Sequence, residues 1–287
     1  MSLEAFSTAA SIALVATFGF LLAANSWHTI TRNLGDSSSF PGTIMLEAAQ
    51  RFRDDLDRLT RRLHTYLASA LVFVVIFAVS YSLEPDAIFG DLPGWQLSLV
   101  VAVLAAVALY AACRFFAVVL ARRRTQFVRD ASIAAGHGLQ KLSANMNRVF
   151  HDVPCGSGVI DNVIVGLHGV YAVNVVARRP GKDNRVRLDG DILAFAPGRY
   201  SRSLAEFLKR NKQLALEFGR MLGHEVRVRS VVAIPGWEIE SQSSTEHLIV
   251  NECNLVMLRG WKDQNDYLMH EEVDELQEAL TRRCTRS

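Results

Sequence analysis

Apolar positions along this chain follow two different regimes. Up to about residue 121 they form long blocks without charge, and beyond it they are interleaved with charged residues. Three blocks, at 5–24, 67–83 and 95–113, predict membrane-spanning helices. At 1.5 Å per residue a helix of about 20 residues crosses the roughly 30 Å hydrocarbon layer. The second block is shorter but very apolar. The third is flanked by Trp95, suited to one interface, and Arg114, able to snorkel at the other. The first block has a second reading as a cleaved signal peptide. That reading needs a basic leader, and the residues before the block hold Glu4 and no Lys or Arg.

Before the second block, Met45, Ala49, Phe52, Leu56, Leu59, Leu63 and Tyr66 are spaced alternately by four and three. This is the seam of a helix over about 43–66, with Asp36, Ser37, Ser38, Ser39, Pro41 and Gly42 as its start signal. Two readings are open for the seam. It is a dimerising coiled coil, or it packs within the chain on Phe115, Phe116, Val119 and Phe127. The membrane region is thus 1–121, residues 122–135 form a helical stalk, and 136–287 form a cytosolic domain.

Within the domain, Leu139, Leu142, Met146 and Val149 are spaced as on a helix ending near Phe150. "HDVPCGSG" reads as loop. "VIDNVIVG" and "VYAVNVV" are strands joined by a hairpin at Leu167, His168 and Gly169. "RVRLDG" and "ILAFAP" form a more exposed strand pair, and 201–222 is a helix. "VRVRSVVAIP" is a strand running from alternating to continuously apolar, as in a buried strand. "EHLIVNE" and "LVML" are short strands, and 271–283 is a closing helix. The order predicts an α/β sandwich with a mixed sheet.

Charge adds orientation. Residues 25–66 carry six arginines: Arg32, Arg51, Arg53, Arg58, Arg61 and Arg62. The 83–96 connector has Glu84, Asp86 and Asp91 with no Lys or Arg, and Arg122, Arg123 and Arg124 follow the third block. The positive-inside rule places the N-terminus and that connector outside and both arginine-rich segments in the cytosol. The net charge of +2 alone says little. The four cysteines show no CxxC spacing and read as reduced thiols. Walker A, GxSxG and HExxH motifs are absent.

The stretch "GSGVIDNVIVGLHGVYAVNVV", with the helix "SLAEFLKRNKQLALEF" before a Val-rich strand, resembles the nuclease-related domain (NERD) family, of the PD-(D/E)XK nuclease-like fold. The resemblance covers about residues 131–260. It implies an α/β core resembling that fold and a bacterial inner-membrane location. It also implies an active site with an acid on the first helix, an Asp in one strand and Glu-x-Lys in the next. Such a site holds Mg²⁺ through hard oxygen ligands.

Here the strand acid is Asp161, but the Glu-x-Lys position reads Asn174, Val175, Val176, and the helix acid falls at His137. A glutamine common on the later helix falls near Glu206. Asp161 is the one carboxylate left to hold a metal, so the resemblance implies a catalytically degenerate domain without cofactor. Mg²⁺ enters only if hydrolysis survives through relocated ligands such as Asp189 and Asp191, which otherwise read as turn residues around Gly190.

Bases concentrate between Arg178 and Arg229, and acids beyond Glu238. Arg178, Arg179, Lys182, Lys209, Arg210 and Lys212 are therefore candidate phosphate-binding residues. The same basic half could meet anionic lipid heads, or pair with acids within the fold or between protomers. The partners expected are the lipid bilayer, nucleic acid, and a second copy or another membrane protein. Three functions stay open. They are a membrane-anchored, inactive nuclease-related binding domain, an active Mg²⁺- or Mn²⁺-dependent nuclease, and a structural assembly protein.

Overall fold

The computed structural model describes residues 3–34, 45–82, 94–141, 147–182, 184–197, 200–240, 246–259 and 266–285. The chain divides into two compact units. One is helical, Met1–Ser37 with Asp55–Arg124. The other is α/β, Ser38–Asp54 with Thr125–Ser287.

The helical unit draws on α1 (Leu3–Leu34), α2 (Gln50–Ser82) and α3 (Gly94–Gln140). Among the described residues one helix, Gln50–Val79, is long and apolar enough to cross a membrane, and Ala9–Ala23 is a shorter apolar stretch. Of the three expected spans, this measure picks out the second among the described residues. The expected span at 95–113 falls partly on residues whose side chains lie outside the described set. Thr60 accepts a hydrogen bond from Nε of Arg122 at 3.2 Å, so α2 and α3 meet there within one chain. The expected start signal at 36–42 lies outside the described residues. The expected helix over 43–66 begins later, at Gln50, because Ala49 takes φ 64°, which ends any helix running through it.

The α/β unit follows the predicted class. Its main sheet contains β1 (Arg148–Cys155), β2 (Gly158–Gly166), β3 (Gly169–Val175), β7 (Val228–Ala233) and β9 (His247–Val250), in the order β1-β2-β3-β7-β9. The first two junctions are antiparallel and the last two parallel, so the sheet is mixed. A second sheet, β6-β5-β4-β8, is built from β4 (Arg185–Asp189), β5 (Ile192–Ala196), β6 (Tyr200–Ser203) and β8 (Glu238–Ile239). The exposed strand pair read from the sequence is its centre.

β2 and β3 are buried nearly throughout, as their β-branched runs require. On one face of the main sheet lie α4 (Ala205–Leu222) and α5 (His270–Arg283). There Leu214, Phe218, Val273, Leu276 and Leu280 form one core with Phe150, Val163 and Ala172. On the other face, Ala131, Ala135 and Leu139 of α3 pack with Tyr171, Val173 and Val231. A third core joins the two sheets through Val176, Phe195, Phe207, Trp237 and Ile249. The β2–β3 hairpin turns at Gly169, where φ is 109° and a Cβ would come within 2.9 Å of the Asp266 carbonyl, so glycine is required.

Five readings are corrected. The helix expected to run to Phe150 ends at Gln140, and "HDVPC" is strand β1, not loop. The three-four spacing bridged two elements, and pairing with β2 decides the second. Ser201–Ser203 belong to β6, so α4 begins at Ala205. "LVML" is a 3-10 turn. Finally, the α/β unit does not start at 136. It also takes a segment ahead of α2, where Leu46 N–H donates to the Cys284 carbonyl at 2.8 Å and Met45 bridges Thr285.

Candidate functional site

Asp161 sits in the interior of β2, 8% exposed. Between the register pairs His151↔Asn162 and Val153↔Ile160 it lies opposite Asp152 of β1. One step past the pair Asn162↔Val173 it lies opposite Asn174 of β3. Asp152 holds φ 48°, a left-handed conformation that Asp tolerates better than most residues, so the ladder is locally irregular there. Three polar side chains from three adjacent strands thus converge on one point of the sheet.

Two carboxylates so close in a buried sheet need a countercharge. Arg51, in the first turn of α2, supplies it. Its guanidinium pairs with Asp161, its Nε lies 3.4 Å from an Asp152 oxygen, and its backbone N–H donates to Asp152 at 3.1 Å. The second Asp161 oxygen accepts the Val175 backbone N–H at 2.6 Å. Burial pushes both carboxyls above the usual carboxylate range, while Arg51 pulls each of them back down. The Arg51 guanidinium also lies over the Phe52 ring, its carbon 4.4 Å from the ring centre.

The Glu-x-Lys position is polar at one end and dry at the other. Asn174 is fully buried, with neither amide atom hydrogen-bonded among the described residues, and Val176 belongs to the apolar core between the sheets. On α4, Asn211 is 2% exposed and both its amide atoms are likewise without partners there. It sits in the helix's buried stripe between Phe207 and Leu214. Ala172 and Val176 flank Asn174 in the cores that Leu214 and Phe207 respectively complete. Alternation along β3 therefore puts Asn174 at the seam where Asn211 lies. Neighbouring Arg210 reaches inward to the Val159 carbonyl at 3.2 Å.

Replacing Asn211 by leucine exchanges a buried, unpartnered amide for an apolar group of similar size. The α/β unit should gain about 1 kcal/mol. Pulse proteolysis of the full chain in detergent at graded urea concentrations checks this, and a loss of similar size would mean that the amide is bonded in solution.

His137 is not brought to this point. It is exposed on α3, whose buried face presents Ala131, Ser132, Ala135 and Leu139. Glu206 is also exposed, paired with Arg210 at 3.5 Å. Asp189 and Asp191 flank Gly190, at φ 59°, in the β4–β5 turn of the other sheet.

The six basic candidates separate. Arg178 stacks between Phe195, Tyr200 and Trp237, and its carbonyl accepts the Trp237 indole N–H. Arg179 lies over Phe127. Lys182, Lys209 and Lys212 are exposed.

Sequence reasoning missed Arg51, Asp152 and Asn211. Asn211 carried a signal, a polar residue in an apolar helical stripe, whereas Arg51 had only its place among the arginines ahead of the second apolar block.

Mg²⁺ needs several hard oxygens in near-octahedral array. The residues here do not fit it. Both Asp161 oxygens are committed, Asn174 is neutral, and Val176 is apolar. Among the described residues no group of three His, Cys, Asp or Glu side chains is placed to hold a metal ion. The four cysteines are free thiols, and burial pushes that of Cys284 up to about 11.

Compared with family models, curated proteins and solved structures, the chain finds no match.

Proposed function

We propose that this chain is a membrane-anchored protein whose α/β unit is a nuclease-related domain without hydrolytic activity, binding nucleic acid or a protein partner at the cytosolic membrane face. In this reading the helices carry three spans, with the N-terminus outside and the α/β unit inside at a bacterial inner membrane. The observation that carries the loss of activity is the state of the expected catalytic strand. Asn174 replaces an anionic metal ligand, and Val176 is sealed in the core where a lysine would have to reach the reacting phosphate. The cation beside Asp161, Arg51, is already paired with two carboxylates, so neither a metal ion nor a lysine is left to neutralise the scissile group.

Binding draws its support from α4. Its two acids, Glu206 and Glu217, are each paired with an arginine, whereas Lys209, Lys212 and Arg220 are exposed without an ion pair among the described residues. Spaced three and eight apart, these cations share one outer stripe. A polyanion would meet a net positive helix face.

The test incubates the full chain in detergent with plasmid DNA, linear DNA and RNA in Mg²⁺ and in Mn²⁺, beside Asp161→Ala. No cleavage by either protein is expected. Cleavage by the wild type that Asp161→Ala abolishes would overturn the reading in favour of an active nuclease. Fluorescence anisotropy should show nucleic-acid affinity falling with salt, and the double variant Lys209→Glu/Lys212→Glu should bind about tenfold more weakly or worse. Absence of salt-sensitive binding would remove nucleic acid as the partner.

A further inference from the structure

The cleft around Asp161 already contains a cation, and that cation is part of the protein. We infer that Arg51 and a divalent metal ion are alternative occupants of one site, so that the wild-type chain excludes the ion because its own guanidinium holds the place. The inference rests on reading the Asp161 cleft as a degenerate metal site, but it concerns which cation the cleft accepts rather than what the protein binds or cleaves.

Three observations carry it. First, Asp152 and Asp161 come from neighbouring strands at opposed register positions and converge on a single guanidinium, which takes one oxygen of each. Two buried carboxylates sharing one counterion are the arrangement that a divalent cation also satisfies. Second, the fully buried Asn174 amide lies opposite Asp161 with its carbonyl oxygen unpartnered among the described residues, so a third hard oxygen stands beside the pair without a donor. Third, Arg51 comes from the first turn of α2, not from the strands that carry the acids. The acids can therefore keep their places in the sheet when the guanidinium is lost.

The charge balance is consistent with this exclusion. With Arg51 seated, the two carboxylates carry a net charge of about −1, and an incoming divalent ion would meet a fixed positive charge within contact distance. Without Arg51 the same two carboxylates carry −2, and the Asn174 oxygen completes three ligands, leaving water to fill the rest of an octahedral or looser shell.

The experiment measures Mn²⁺ binding to the full chain in detergent, by electron paramagnetic resonance of free Mn²⁺ and by calorimetry at neutral pH. It compares the wild type, Arg51→Met, Arg51→Lys and the double variant Arg51→Met/Asp161→Asn. Methionine keeps an apolar stem and removes the charge, whereas lysine keeps the charge. Arg51→Gln, polar and of similar reach, serves the same purpose should the methionine variant fail to fold, with folding followed by circular dichroism and protease resistance.

The expected result is one Mn²⁺ bound by Arg51→Met at least about tenfold more tightly than by the wild type. Arg51→Lys should behave like the wild type, and the double variant should lose the gain. The inference is overturned if Arg51→Met or Arg51→Gln, folded, binds no more Mn²⁺ than the wild type. It is equally overturned if the double variant keeps the gain, because the ion would then sit elsewhere. Neither failure bears on the proposed function, whose tests read cleavage and nucleic-acid affinity.

Discussion

Arg51→Ala should lower the stability of the α/β unit by about 3 kcal/mol at neutral pH, the low end of the cost of removing one partner from a buried ion pair. The low end applies because the Arg51 side chain is 34% exposed, while those of its partners Asp152 and Asp161 are 6% and 10% exposed. Its loss leaves two opposed carboxylates in the sheet, with the Val175 N–H on Asp161 and no charged partner for Asp152.

The effect has a predicted pH signature. Both carboxyls are already raised above the usual value of 3.8, chiefly by burial, and Arg51 opposes the rise. A carboxyl whose folded pKa exceeds its unfolded pKa contributes stability fully below the unfolded value and loses it as pH rises through the folded one. Removing Arg51 raises both groups further, so the variant loses more stability than the wild type between about pH 4 and neutrality. The gap between the two should therefore narrow as pH falls toward 4. Pulse proteolysis in graded urea at pH 4.5 and 7.5 measures it. An equal gap at both values would show that Arg51 acts by its packing on Phe52.

Phe218→Ala carries the other large expectation, a loss of about 4 kcal/mol. Phe218 is fully buried on α4 among Leu214, Phe150 and the α5 residues Leu276 and Leu280, so both helices and the sheet would border the cavity. Leu216, two positions earlier on the same helix, is 65% exposed, and its replacement by alanine should cost under about 0.5 kcal/mol. A comparable loss at both positions would mean that Leu216 is covered in solution, since alanine is the better helix former.

The parts of this fold that were legible in the sequence are those with strong local patterns. The β2–β3 hairpin announced itself by β-branched runs on either side of Gly169, and α4 by its apolar stripe. β1 was not legible. Val149 and Phe150 fit a helical spacing, and only the antiparallel register with β2 makes Asp152 an interior residue opposite Asp161. The site divides in the same way. Pattern locates the strands of Asp161 and Asn174, with Val176 just past the second, while the resemblance singled these residues out; the turn around Gly190 was readable from its residue types. Arg51 is a long-range partner whose place depends on how a distant segment docks, and no local period records that. The basic residues show the limit of counting charge. Arg178 and Arg210 look like phosphate ligands in a list of bases, yet one is stacked among aromatic rings and the other donates to a strand carbonyl.

The bridge between Met45 and Thr285, with the Leu46 hydrogen bond to Cys284, gives the α/β unit an order of assembly. During synthesis the segment carrying Arg51 leaves the ribosome long before its backbone partners at the end of α5. Domains usually complete themselves as the chain lengthens. This one stays open until the end of α5 has been made, and the loop-closure entropy of the intervening residues must then be overcome. Trimming the residues that close α5 would therefore unseat the segment around Met45 and Leu46, and with it the arginine that neutralises the cleft.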